Sequence, residues 1–174
     1  AWQSSDSNTV GELAWGDLDG DGDLDVVVGN ADPMVDPAGN TGKDKIYLNQ
    51  NGQLAKTPAW TSTDNDYTTS IALGDIDGDG DLDLAVGNRY SGENKIYLFA
   101  LDAQGQLTAT LGWHAGVNYA TEDIALADAD GDGDLDLAVG VGLPNAYPVA
   151  NPQPLRIYLF TKNVQNNLTV QQEI

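Results

Sequence analysis

The sequence predicts an all-β fold built from three copies of one four-stranded antiparallel unit. Three observations carry this reading. First, an 18-residue segment recurs: LAWGDLDGDGDLDVVVGN at Leu13–Asn30, IALGDIDGDGDLDLAVGN at Ile71–Asn88 and IALADADGDGDLDLAVGV at Ile124–Val141. Second, each copy is followed by a shorter block: Lys45-Ile-Tyr-Leu48, Lys95-Ile-Tyr-Leu98 and Arg156-Ile-Tyr-Leu159. Third, helical periodicity is absent, and Gly and Pro punctuate the connections. A period of roughly 55 residues that fills almost the whole chain marks a repeat architecture.

Within the first unit, Leu13–Gly16 reads as a strand entering an acidic loop, and Leu24–Gly29 leaves it as a buried Val-rich run. Lys45–Leu48 alternates polar and apolar as a third strand. Asn51-Gly52 is a hairpin signal before a fourth strand near Leu54–Trp60. Four antiparallel strands per repeat is the pattern of propeller blades. The connections between second and third strands vary most. They run over Asn30–Asp44, Asn88–Asn94 and Val141–Leu155, and the first and third hold six of the seven prolines.

The bulk properties narrow the partners. The 174 residues are 41% hydrophobic, too many for a disordered acidic tail. Net charge is -20, which repels nucleic acid and anionic membranes, so neither is expected as a partner. No apolar run is long enough to span a bilayer, and membrane insertion is not expected. Cysteine is absent, which removes disulfides, thiol catalysis and Cys-based zinc sites. The chain opens at Ala1 without methionine, as expected of a processed chain or of a piece of something longer.

Fifteen of the 27 acids fall in three loops. These are Asp17, Asp19, Asp21, Asp23 and Asp25; Asp75, Asp77, Asp79, Asp81 and Asp83; and Asp128, Asp130, Asp132, Asp134 and Asp136. Carboxylates at loop positions 1, 3, 5 and 9 can converge if the backbone wraps around a point, and the glycine at position 6 (Gly22, Gly80, Gly133) permits the turn. Position 7 (Asp23, Asp81, Asp134) would then offer its carbonyl and leave its carboxylate facing water. Such an all-oxygen set suits Ca2+, giving three expected sites, whereas Mg2+ gives up its waters reluctantly. Polar turns alone would not call for five carboxylates in nine residues, three times over. An EF-hand would need Glu at position 12, where this chain has Val28, Val86 and Val139. The nine-residue glycine-rich period of calcium solenoids is missing, and no Gly-Lys-Ser/Thr follows the glycines to make a phosphate loop.

The pattern of an apolar strand, Gly-Asp-x-Asp-Gly-Asp-Gly-Asp-x-Asp, then an apolar run ending in Val-Gly-Asn resembles the FG-GAP/VCBS repeat. That family builds the β-propellers of integrin α subunits and of some fungal and bacterial lectins. The resemblance covers all three units. It implies three four-stranded antiparallel blades of an integrin-α-like β-propeller: blade 1 at about 9–62, blade 2 at about 67–113 and blade 3 at about 120–174. Residues 1–8 would contribute the end of a neighbouring blade's fourth strand. It also implies calcium at each loop, between a blade's first two strands and opposite the ligand-binding loops. The third unit departs by having Ala127 in place of Gly16 and Gly74, before the first ligand.

Other residues invite attention. Trp2, Trp60 and Trp113 recur before successive units and are expected to pack between blades, although sugar stacking is the alternative. Trp15 aligns with Leu73 and Leu126 and is expected in the core, as are Tyr47, Tyr97 and Tyr158 in the third strands. His114 is the only histidine and reads as a surface loop residue.

The function expected is a secreted or cell-surface module for adhesion or recognition of a glycan or protein, with calcium as a structural cofactor. Recognition would fall to the variable connections and to the links Thr61–Ser70 and His114–Asp123. An enzyme is not expected, because metal-held aspartates are not free for acid–base work. Three blades are too few to close a ring, so the chain is incomplete as a propeller. Self-association through the terminal blades is the alternative role, into a closed ring or a filament.

Overall fold

A computed structural model describes residues 2–5, 9–31, 42–89, 92–118, 120–141, 156–162 and 168–173. The described residues are all-β, and no helix is long and apolar enough to cross a membrane. Most of the connections Asn30–Asp44 and Val141–Leu155 lies outside them, and the side chain of Tyr158 does too.

Among the described residues, fourteen strands form three four-stranded antiparallel sheets and one small hairpin. The first sheet contains β1 (Val10–Gly16), β2 (Asp25–Asn30), β3 (Lys45–Tyr47) and β6 (Trp60–Thr61) in that order. Between β3 and β6 sits the hairpin of β4 (Asn49–Gln50) and β5 (Gln53–Leu54). The second sheet contains β7 (Tyr67–Gly74), β8 (Asp83–Arg89), β9 (Glu93–Leu101) and β10 (Leu107–Asn118). The third contains β11 (Thr121–Ala127), β12 (Asp136–Val141), β13 (Arg156–Lys162) and β14 (Leu168–Glu173).

The expected Asn-Gly hairpin forms, with positive φ at Asn51 (55°) and Gly52 (78°), the two-residue turn whose twist matches antiparallel strands. It closes β4 onto β5 and not onto the sheet's fourth strand, which is confined to Trp60–Thr61. Strands also reach further into the links than the sequence reading placed them. β7 begins at Tyr67, and β10 runs through His114 to Asn118. His114 is therefore an exposed strand residue, with Nδ1 2.6 Å from Glu93 Oε2.

The sheets stack face to face, β7 packing on β1 and β2, and β11 on β7 and β8. This explains the continuous apolar second strands. Val27, Leu84 and Val86 join one core between the first two sheets, together with Ile46, Ile71, Tyr97 and Phe99. Ala85 turns the other way into a second core with Ile76, Ile96, Ile124, Leu137 and Val139. A strand covered on both faces needs no polar alternation. Each first strand carries a register shift at the same point, between Val10 and Glu12, Thr68 and Ser70, and Thr121 and Asp123. At the first of these, a β-carbon on Gly11 would stand 2.2 Å from the Thr68 carbonyl oxygen of the next sheet, so only glycine fits.

Polar side chains cross the stack at these shifts. Ile71 N donates to Glu12 Oε2 at 2.5 Å, and Ile124 N to Ser70 Oγ at 3.3 Å. Buried Asp44 accepts from Asn30 N (3.0 Å) and from Thr68 Oγ1 (2.8 Å) of the second sheet. Asn94 repeats this one unit later, accepting from Asn88 N and from Thr121 Oγ1, both at 2.9 Å.

Of the recurring tryptophans, Trp60 packs edge-on against Tyr97 (5.1 Å) and Phe99 (5.2 Å) of the next sheet, and Trp113 lies against the second core. Trp2 meets Tyr47 in the same edge-on way at 5.3 Å, and its indole N–H donates to Leu54 O. The expectation for Trp15 is overturned: it is 59% exposed. Leu73 and Leu126 are half-buried because a preceding sheet lies over them, and no described residues lie so over β1.

Candidate metal centre

Each acidic loop joins the first two strands of its sheet and must reverse the chain within a few residues. It does so with two left-handed glycines: Gly20 and Gly22 (φ 70° and 93°), Gly78 and Gly80 (69° and 101°), Gly131 and Gly133 (81° and 97°). Among the described residues, nothing lies within 4 Å of a β-carbon built at Gly20, Gly22, Gly80, Gly131 or Gly133, so backbone conformation and not crowding demands glycine there.

The turn gathers three carboxylates per loop. Asp17, Asp19 and Asp25 each bring an oxygen within 4.8 Å of the others, and so do Asp75, Asp77 and Asp83, and Asp128, Asp130 and Asp136. These are positions 1, 3 and 9 of the sequence-predicted set. Position 5 is not in the gathered group. Asp21, Asp79 and Asp132 accept the N–H of position 7 at 2.9, 3.0 and 2.9 Å, as Asp19, Asp77 and Asp130 accept that of position 5. Position 7 also differs from expectation in the first loop, where Asp23 Oδ2 accepts from Asn51 N at 2.6 Å and so holds the β4–β5 turn. Asp81 is exposed, as expected, and Asp134 is half-buried.

Position 9 is the anchor. Asp25 Oδ2 accepts from Leu18 N (2.9 Å) and Oδ1 from Asn49 N (2.7 Å). Asp83 Oδ2 accepts from Ile76 N (2.9 Å) and Asp77 N (3.2 Å), and Oδ1 from Phe99 N (3.0 Å). Asp136 Oδ2 accepts from Ala129 N at 2.8 Å. One buried carboxylate thus ties the loop to its own start and, in the first two units, to the third strand's end.

The electrostatics of the triads are unfavourable for anions. Burial, and then the charge of Asp25, raises the Asp19 carboxyl above its ordinary value. Burial raises Asp25, outweighing its bonds from Asn49 and Leu18, and pushes Asp83 up to about 6. Asp17 Oδ1 and Asp75 Oδ1 are buried without a hydrogen-bond partner among the described residues. An unpaired buried carboxylate oxygen beside two like charges lacks a positive partner. A hard cation fits this donor set, and Asp17, Asp19 and Asp25, with their counterparts in the other loops, would hold it. The third loop is more open: Asp128 and Asp130 are exposed, and Asp128 Oδ1 accepts from Gly131 N at 2.7 Å.

The first two loops and the strands between them fall within one recognised repeat. Residues 17–86 match the model of the FG-GAP-like repeat. The match begins at the first ligand-position aspartate and ends in β8, so it spans both the Asp17 and Asp75 loops. The third loop repeats the FG-GAP-like segment within the chain, residue for residue at every aspartate. No curated protein matches the chain.

Proposed function

We propose that this chain is a calcium-binding module of the β-propeller type, in which three ions hold the sheets and the opposite edge carries recognition. The observation that carries it is the buried, partnerless Oδ1 of Asp17 and of Asp75 in triads whose oxygens lie within 4.8 Å of one another. An all-carboxylate donor set with glycine-permitted wrapping favours Ca2+ over softer metals. The FG-GAP-like match and the stacking of four-stranded sheets support the blade reading.

The role of the ion is structural. The carboxylates are turned onto backbone N–H groups and onto each other, so they are poorly placed for acid–base chemistry, and the module is not an enzyme. Antiparallel pairing puts the acidic loops at one end of each sheet and the second-to-third-strand connections at the other. Those connections differ in length between units, and we assign recognition of a glycan or protein, in a secreted or cell-surface setting, to them.

Thermal melting in Ca2+ and in chelator tests this. Each site at about a hundredfold excess over its Kd adds roughly 2.7 kcal/mol. Three ions would also cancel six of the twenty net negative charges. A melting temperature unchanged by chelator would refute the calcium role.

A further inference from the structure

The stack uses one docking rule twice. In the first junction, β-carbons built at Gly29 and Gly16 would meet the next sheet's side chains: Thr68 Cγ2 (2.8 Å) and Ile71 Cγ2 (3.1 Å), and Leu73 Cδ1 and Leu82 Cδ1 (both 2.8 Å). In the second junction, Gly87 receives Thr121 and Ile124, and Gly74 receives Leu135 and Leu126. The first two sheets thus each offer two hollows made by glycine, and the second and third each send four projecting side chains into them.

Both halves of this junction recur at opposite ends of the stack. On the first sheet the projecting positions are Val10, Leu13, Trp15 and Leu24, exposed by 50%, 54%, 59% and 55%. Their counterparts Ile71 and Ile124, one and two units on from Leu13, are only 6% and 7% exposed. Val10, Leu13 and Trp15 flank a groove of about 430 Å³, lined also by Val26, Val28 and Tyr47. On the third sheet the hollow position is Gly140, whose β-carbon would approach, among the described residues, only Asp123, at 3.4 Å. Ala127 holds the second hollow and makes it shallower by one methyl group. Asp123 stands where Glu12 and Ser70 accept the N–H of the following sheet. Its Oδ1 accepts from Ser70 Oγ (3.0 Å) and Ile124 N (2.9 Å), which leaves Oδ2 as the oxygen that could receive Leu13 N. Trp2 already sits on Tyr47 as Trp60 sits on Tyr97, and docking would leave it in place.

We infer that the first sheet of one copy of this chain docks on the third sheet of a second copy, head to tail, continuing the internal stack. Val10 and Leu13 enter the hollow at Gly140, and Trp15 and Leu24 lie over Ala127. Such a junction is heterologous, so it closes into a ring if the rotation per copy permits and otherwise grows as a filament. The inference rests on the sheet faces and not on the metal reading. Measuring assembly in Ca2+ and in chelator, beside the melting curves, separates failure of one from failure of the other.

The test is sedimentation velocity of the full chain at micromolar concentration, with two variants. Trp15→Asp spoils the projecting face. Gly140→Val fills the hollow, at a position where the φ is not left-handed and the described residues leave room. Circular dichroism melts establish that both fold. The expected result is assembly of the wild type, monomers of each variant alone, and a 1:1 dimer when the two are mixed, since each retains the face the other lacks. A monomeric wild type would overturn the inference. So would a Gly140→Val chain that still self-associates, which would indicate back-to-back pairing of first sheets. Failure of the mixed variants to pair would overturn it as well.

Discussion

Asp44→Asn should stabilise this protein at alkaline pH and lose that advantage in acid. Asp44 is 3% exposed between the first and second sheets. Burial raises its carboxyl to about 7, against the hydrogen bonds from Asn30 and Thr68. The folded value lies above the unfolded 3.8, so the native chain holds the extra proton between about pH 4 and 7. Stability from this group is fully present below pH 4 and is lost as pH rises towards 7. Three pKa units correspond to about 4 kcal/mol by pH 8, of which roughly 2.5 kcal/mol accrues above pH 5. Asparagine keeps the Oδ1 acceptor, and the second unit already uses Asn94 in the same place. Its cost is visible there too: Asn94 Nδ2 is buried without a partner among the described residues, an arrangement worth about 1–3 kcal/mol. The net gain is thus about 1–3 kcal/mol at pH 8 and close to zero at pH 5. Urea unfolding of both proteins at pH 5, 6, 7 and 8 in saturating Ca2+ measures it, the metal's own pH dependence cancelling in the difference. A stability difference that does not change with pH, or a variant weaker at pH 8, would refute the buried-carboxyl argument.

Two substitutions in the second loop separate its parts. Asp83→Ala strands the N–H groups of Ile76, Asp77 and Phe99, so it should cost at least about 3 kcal/mol even in chelator, whereas exposed Asp81→Ala should cost under about 0.5 kcal/mol; urea unfolding in chelator and a Ca2+ titration read the two effects. Gly80→Ala meets no atom within 4 Å but must hold a φ of 101°, so it should lose about 1–3 kcal/mol and weaken the loop's Ca2+ binding, as melting and titration would show.

The sequence exposed those features whose chemistry is local. Five aspartates around two glycines declare a wrapped acidic loop whatever surrounds it, and Asn51-Gly52 declares its turn. What depended on neighbours was less legible. Position 9 looks like any other carboxylate of the loop when acids are counted, yet Asp83 takes three backbone N–H groups and anchors it. Trp15 was assigned to the core by its alignment with Leu73 and Leu126, but burial in a stack belongs to the junction and not to the residue. The cross-sheet bonds of Asp44 and Asn94 escaped notice altogether, although a signal existed. A short side chain with an acceptor oxygen precedes Lys-Ile-Tyr-Leu in both units, and Leu155 breaks the pattern in the third.

Position 9 connects the metal reading to the fold. A cation bound only by a flexible loop would order that loop and little else. Here the same carboxylate that faces the cation position also accepts from the end of the third strand, through Asn49 N in the first unit and Phe99 N in the second. Phe99 in turn packs against Trp60, from the fourth strand of the preceding sheet. Without a cation, burial pushes Asp83 up to about 6, so its anion is less stable in the fold than in the unfolded chain. A divalent ion held there, as proposed, would oppose that shift by favouring the carboxylate and so strengthen its bonds to all three N–H groups. Metal binding at the loop, as proposed, would therefore be coupled to closure of the third strand and, through Phe99 and Trp60, to the packing of one sheet on the next. Deleting the carboxylate at position 9 breaks this chain of contacts at its first link, whereas deleting it at position 7 of the second loop leaves the chain intact.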